Sequence, residues 1–419
     1  MEEQRRNRRN LLQNILITLL SLSAAALFTQ TQLYNLDLTT GGTPAAGPLQ
    51  SAAPAAELAA PVRVAVTGDY GRHGSVTLTT ADAAFADPLG RRLLEALGSA
   101  RDYSPCTGAD FLRALRGPSL YYDFLEPLPL SVLAGLLGGG EEVSPREDLA
   151  ARRLLLFFQQ GVVSLCLWDG GESCFRAATA VSADSLEQVI GRYELGNASF
   201  ALDGEEKALN PCSLLPAQPP ELGAYTLGAP LAGGTDWLLS ALGFNPRSRT
   251  RHTESNGTEL IMDGDRTLRI RPDGTVQYQS GGDPSLRVKA AGELPTAREA
   301  ALGAGALLEG LLAPVSGEAR LWLQNVRRSG EVTTLRFGYR LGGVPVRFQD
   351  GGFAVEVTLT GTAMTALTLR FRQYNPAAEA SLLLPQAQAV AVAAASPGRE
   401  LSVGYVERNG ECRACWLSD

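Results

Sequence analysis

The first long apolar run has no periodicity at all. From Leu11 to Phe28 the chain is Leu, Ile, Ala and Phe with small or neutral polar residues between them, and no charge falls between Arg9 and Asp37. At about 1.5 Å of rise per residue, such a helix spans roughly the hydrocarbon core of a bilayer. Arg5, Arg6, Arg8 and Arg9 crowd its N-terminal flank, whereas the other flank has no basic residue before Arg63. The positive-inside rule then predicts a cytoplasmic stub at 1–10, a transmembrane helix at 11–28 and an extracytoplasmic remainder. A cleaved leader is the rival reading, because Ala24-Ala25-Ala26 resembles a processing site. Leu27 and Phe28 carry the apolar run past that site, which favours an anchor. Both readings export the rest of the chain.

Residues 39–61 are Gly, Pro, Ala and Thr with one charge, a composition that reads as a flexible linker. Beyond Val62 the pattern turns periodic. Alternation at period two predicts strands at 62–67, 75–80, 120–125, 153–168 (broken at Gly161) and 173–179. Helical spacing predicts helices over 85–97, after Thr107, over 130–137 and from Ala183 with Ser182 as its cap. A Pro-rich stretch, 195–230, marks a boundary. Two units of one plan follow, each a helix and then short strands. The first runs from the helix at 236–243 through turns at Asn256-Gly257 and Asp273-Gly274. The second runs from the helix at 296–312 through turns at Gly342-Gly343 and Asp350-Gly351-Gly352. Asn-Gly and Asp-Gly accept the positive φ that tight hairpins need. A late helix at 384–395 and a final hairpin, 401–407 with 413–417, close the chain. The fold class is therefore α+β, helices packed on antiparallel meanders. The domains are N-terminal extracytoplasmic 62–225, middle 230–285 and C-terminal 290–419.

Length supports that division, since about 360 residues exceed one comfortable core. The net charge is −7, and residues 1–36 contribute +2, so the exported part carries about −9. That balance argues against nucleic acid as a partner and against an ectodomain lying flat on anionic lipid.

Six cysteines are permitted to pair in an exported chain. Cys166 and Cys174 flank the Asp169–Glu172 turn, where register decides whether they face each other or opposite sides of the sheet. Cys412 and Cys415 form a CxxC that reads as a terminal staple or two free thiols. Cys106 and Cys212 are left over. A zinc site is disfavoured, because a four-ligand set would need a second CxxC or paired histidines and the chain has only His73 and His252.

Those two histidines also restrict catalysis. Each reads as an exposed polar residue, and no GxSxG, HExxH, Walker A or strand-anchored GxGxxG motif occurs. Asp263-Gly264-Asp265 lacks the spaced acids and terminal Glu of a calcium loop. The sequence offers no catalytic residue, cofactor site or metal site.

The middle unit carries a resemblance. Phe244-Asn245-Pro246, Thr253–Thr258, Thr267-Leu268-Arg269-Ile270 and Asp273–Tyr278 resemble the central part of the YycH/YycI regulators. So do the helix at 300–312, the Gly-Gly-Val-Pro-Val hairpin at 339–348 and the closing Gly404-Tyr405-Val406. His252 stands where that family has a tyrosine. The resemblance covers 235–419 by motif and 1–230 by layout. It implies a non-catalytic, membrane-anchored regulator without cofactors. Such proteins bind and modulate the sensor histidine kinase of a cell-envelope two-component system in Gram-positive bacteria, in company with a paralogous regulator. Contacts would run through the extracytoplasmic domains and the membrane helix, where Ser21, Ser23, Ala24 and Ala25 are small enough for close approach or else simply face lipid. The alternatives are an extracytoplasmic scaffold or ligand- or wall-binding protein, and an envelope hydrolase.

Overall fold

The structure is a computed structural model. It describes residues 53–418 except 77–84, 141–148, 205–207, 230, 248–249, 283 and 313–314. The expected transmembrane segment 11–28, with Ser21, Ser23, Ala24 and Ala25, and the flanking Arg5, Arg6, Arg8 and Arg9 lie outside the described residues. Among the described residues no helix is long and apolar enough to cross a membrane.

Two sheets divide the described chain. The first holds β1 (Arg63–Thr67), β2 (His73–Val76), β3 (Arg101–Pro105), β4 (Ser119–Pro129), β5 (Ala150–Gln159), β6 (Val162–Trp168), β7 (Cys174–Ala178), β8 (Ala198–Phe200) and β9 (Leu214–Pro216). Their spatial order is β3-β7-β6-β5-β4-β1-β2-β8-β9. Helices α2 (Arg91–Ser99), α3 (Gly108–Ala114), α4 (Leu130–Leu136) and α5 (Ala183–Ile190) accompany it. Both faces are covered, which explains the unbroken apolar run on β5. Leu154 and Leu156 point into the main core, while Leu155 and Phe157 meet Phe111 of α3 on the other face. Thr107 caps α3 in a capping box with Asp110, and Ser182 caps α5, as their positions predict.

The second sheet begins with β10 (Leu222–Gly228). It continues through β11 (Arg251–Thr253), β12 (Glu259–Asp263), β13 (Arg266–Ile270), β14 (Thr275–Ser280), β15 (Arg320–Ser329), β16 (Val332–Leu341) and β17 (Val344–Phe348). It ends with β18 (Val355–Thr360), β19 (Ala363–Arg370), β20 (Gln373–Ser381), β21 (Leu401–Arg408) and β22 (Glu411–Ser418). The pairings are antiparallel except β17 beside β21. The turn chemistry reads correctly, with Gly257 at φ 81° and Gly274 at φ 80°.

The domain boundaries need correction. The middle unit 230–285 is not separate from 290–419, because β14 pairs with β19 with Tyr278 opposite Leu367, and one sheet runs through both. Residues 222–225, expected in the N-terminal domain, belong to β10, which pairs with β20 and β22. The sheets therefore change over between 216 and 222. A single hydrophobic core then joins them, containing Leu120, Leu154 and Leu133 from the first half and Leu268, Phe337 and Leu367 from the second. Residues 51–419 form one compact unit.

The expected linker also ends sooner than its composition suggests. Ala53–Leu58 forms α1, and Ala56, Ala59 and Ala60 are buried. After α6 (Asp236–Ala241) comes α7 (Ala297–Leu312), and α1 lies against it where Gly305 leaves room for the Leu58 side chain. Arg340 of β16, buried with its guanidinium over the Trp322 ring at 5.1 Å, donates to the Ala60 carbonyl. Burial pulls the Arg340 guanidinium down to about 9, against the opposing pull of Glu57. An Ala-rich segment can dock in this way because its small side chains allow close helix approach, a property that low-complexity composition conceals.

Candidate functional site

Three clusters of reactive or charged side chains bear on function. The largest is a buried ion network that fastens the two halves. Asp123 sits in β4, fully buried, with Arg63 of β1 and Arg152 and Arg153 of β5 around it. Glu400, immediately before β21, reaches the same three arginines from the other half. Arg63 Nη2 lies 2.7 Å from both Asp123 Oδ2 and Glu400 Oε1, although only the Asp123 contact has hydrogen-bond geometry. Arg153 Nη2 donates to Glu400 Oε2 at 2.8 Å, and Arg152 donates to the same oxygen. The Leu125 amide and the Tyr121 hydroxyl complete the shell of Asp123 at 2.9 and 3.3 Å. Burial alone would raise the Asp123 carboxyl, but Arg63, then Arg152 and Arg153, override it and hold the group well below the usual carboxylate range. A network this enclosed has no face for a substrate, and its chemistry is structural.

The second cluster contains His73, which the sequence reading placed on the surface. That expectation is corrected: His73 is 3% exposed. Its Nδ1 shares a hydrogen bond with Thr67 Oγ1 at 2.9 Å, and its Nε2 lies 2.9 Å from Asp203 Oδ2, which also pairs with Arg116. Thr67 is six residues away across the β1–β2 hairpin, but Asp203 comes from 130 residues away, a distance that no local spacing announces. Hydroxyl, imidazole and carboxylate stand in the order of a catalytic triad. Thr67, however, is 0% exposed, so its hydroxyl reaches no substrate. His252 sits exposed on β11, opposite Leu260.

The third cluster is a trio of thiols. Cys166 and Cys174 are not directly opposed: β6 and β7 pair Trp168 with Cys174 and Cys166 with Arg176. The two thiols share a face diagonally, 3.7 Å apart. Cys106, which the sequence left without a partner, lies 2.7 Å from Cys174 and 3.6 Å from Cys166. Its amide donates to the Cys174 carbonyl at 2.9 Å, continuing the β3–β7 ladder by one residue. Hydrogen bonding with Cys166 is the main influence that lowers the Cys106 thiol to about 7, with burial opposing it. The same contact, seen from Cys166, pushes that thiol up. Cys412 and Cys415 form no staple. Three residues apart on β22, they point to opposite faces of the strand, Cys412 buried and Cys415 half-buried.

One exposed surface is strongly apolar. Leu382 is 95% exposed, Leu384 51% and Val392, on α8 (Gln386–Ala393), 70%. They border a cavity of about 430 Å³ walled by Leu401 and Trp416. Large contiguous apolar patches mark interaction sites, and these three residues lie around one rim.

Among solved structures, the chain is similar to the crystal structure of YycH from Bacillus subtilis. The TM-score is 0.56 at 13% identity, covering 87% of this chain and 94% of that one. The likeness establishes a YycH-type fold. No protein-family model matches, and no curated protein does.

Proposed function

We propose that this protein is a membrane-anchored, non-catalytic regulator whose extracytoplasmic body binds a sensor histidine kinase of a cell-envelope two-component system and biases its output. The observation that carries this reading is the extent of the fold likeness: 87% of the chain superposes on YycH, both halves included. The motif resemblance in 235–419, the basic stub before an apolar run and the exposed Leu382–Leu384 surface support it. In mechanism, differential contact with two kinase conformations shifts their populations, and the contact energy sets the size of the shift.

The apolar segment 11–28 is proposed as a membrane helix that contributes contacts as well as anchorage. Exchanging Leu11–Phe28 for an unrelated membrane helix is expected to preserve membrane association and abolish most regulation, read as transcription of genes controlled by the two-component system. Full regulation after the exchange would reduce the helix to an anchor and favour the scaffold reading.

A further inference from the structure

The thiol trio has the composition of a metal site that no short motif announces. Cys106, Cys166 and Cys174 come from the end of one strand and from two others, and all three sulfurs lie within 4.8 Å of one another. A metal–sulfur bond of about 2.3 Å requires sulfurs roughly 3.8 Å apart in tetrahedral and roughly 4.0 Å apart in trigonal coordination. Two edges of the triangle, 3.6 and 3.7 Å, fall within about 0.4 Å of that spacing. The short edge involves Cys106, which lies just past the end of β3 and is half-buried, so rotation of its side chain opens that edge.

The surroundings suit a thiophilic ion. A cavity of about 500 Å³ reaches Cys106 and Cys166 from solvent, with Asp110, Phe157 and Arg176 in its wall. Asp110 is engaged by Thr107 and Arg113, so the donors offered are sulfur and not oxygen. The Arg176 guanidinium, held over the Phe157 ring at 5.3 Å, places a positive charge beside three thiolates that would otherwise repel one another. A simple Cys106–Cys174 disulfide would use two of the three sulfurs and give no reason for the third to converge.

We propose that Cys106, Cys166 and Cys174 bind one thiophilic d10 metal ion, Cu(I) held by the three sulfurs or Zn(II) with a water from the cavity as fourth ligand. Binding is a ligand exchange without redox change. Each thiol loses its proton to solvent as its metal–sulfur bond forms.

The test uses the full chain in detergent, reduced and then desalted without oxygen. Titration with Zn(II) or Cu(I) against a chromophoric chelator should show one equivalent bound and a rise in thermal midpoint. Cys166→Ser should weaken binding by at least about 10–100-fold, the loss that even a residue supporting a ligand causes. Cys415→Ser should leave binding unchanged. Cys106→Ser, at a half-buried position that tolerates a hydroxyl, must show the same loss, so a folding defect at Cys166 cannot imitate the result. Failure of both ions to bind overturns the proposal, as does full affinity in Cys166→Ser. So does thiol trapping in native membranes that finds Cys106 and Cys174 joined as a disulfide in every copy.

Discussion

Asp123→Ala is expected to destabilise the protein by about 3–5 kcal/mol, the cost of leaving buried charges without their partner. Arg63, Arg152 and Arg153 converge on that carboxylate, and removing it leaves Glu400 alone against three guanidinium groups. A loss of this size is a large part of a typical domain's stability. The denaturant midpoint should fall sharply with little change in slope. The effect also has a pH signature. The carboxyl titrates lower in the folded state than in the unfolded chain. Its stabilisation is therefore complete above the ordinary carboxylate range, begins to fall as the pH drops below about 4, and is gone only below the depressed folded-state value. Wild type and variant should converge in stability at acid pH. A constant difference from pH 7 to pH 3 would mean that the carboxylate is not the origin of the effect.

Phe337→Ala is expected to cost about 3–5 kcal/mol as well, through lost burial and the cavity left behind. Phe337 lies fully buried on β16, opposite Leu323 on one side and Val355 on the other. The informative readout is where protection is lost. Because β14 is zipped to β19, amide hydrogen exchange in β12–β14 should accelerate together with β15–β22. Retained protection in β12–β14 would restore an independent middle domain.

What the sequence made legible was local. Caps at Thr107 and Ser182, glycines at 257 and 274, and the closing hairpin follow from chemistry within a few residues, and all appear where expected. What it concealed was long range. The β14–β19 seam joins residues about 90 positions apart. Without that pairing, two helix-plus-meander units look like two domains. His73 looked exposed because its acceptor, Asp203, is 130 residues away. Cys106 looked unpaired because its thiol neighbours lie 60 and 68 residues on. The α1 segment read as tether because alanine-rich composition is the same whether solvated or docked. The family resemblance, carried by turn-rich motifs of the second half, pointed to the fold that the structural likeness establishes.

The central claim is a partnership, and crosslinking in the native membrane tests it most directly. A photoreactive residue at Leu382 or within the apolar segment 11–28, activated in intact cells and followed by identification of the captured protein, should recover a sensor histidine kinase. Recovery of a wall-degrading complex with no kinase from either position would contradict the account.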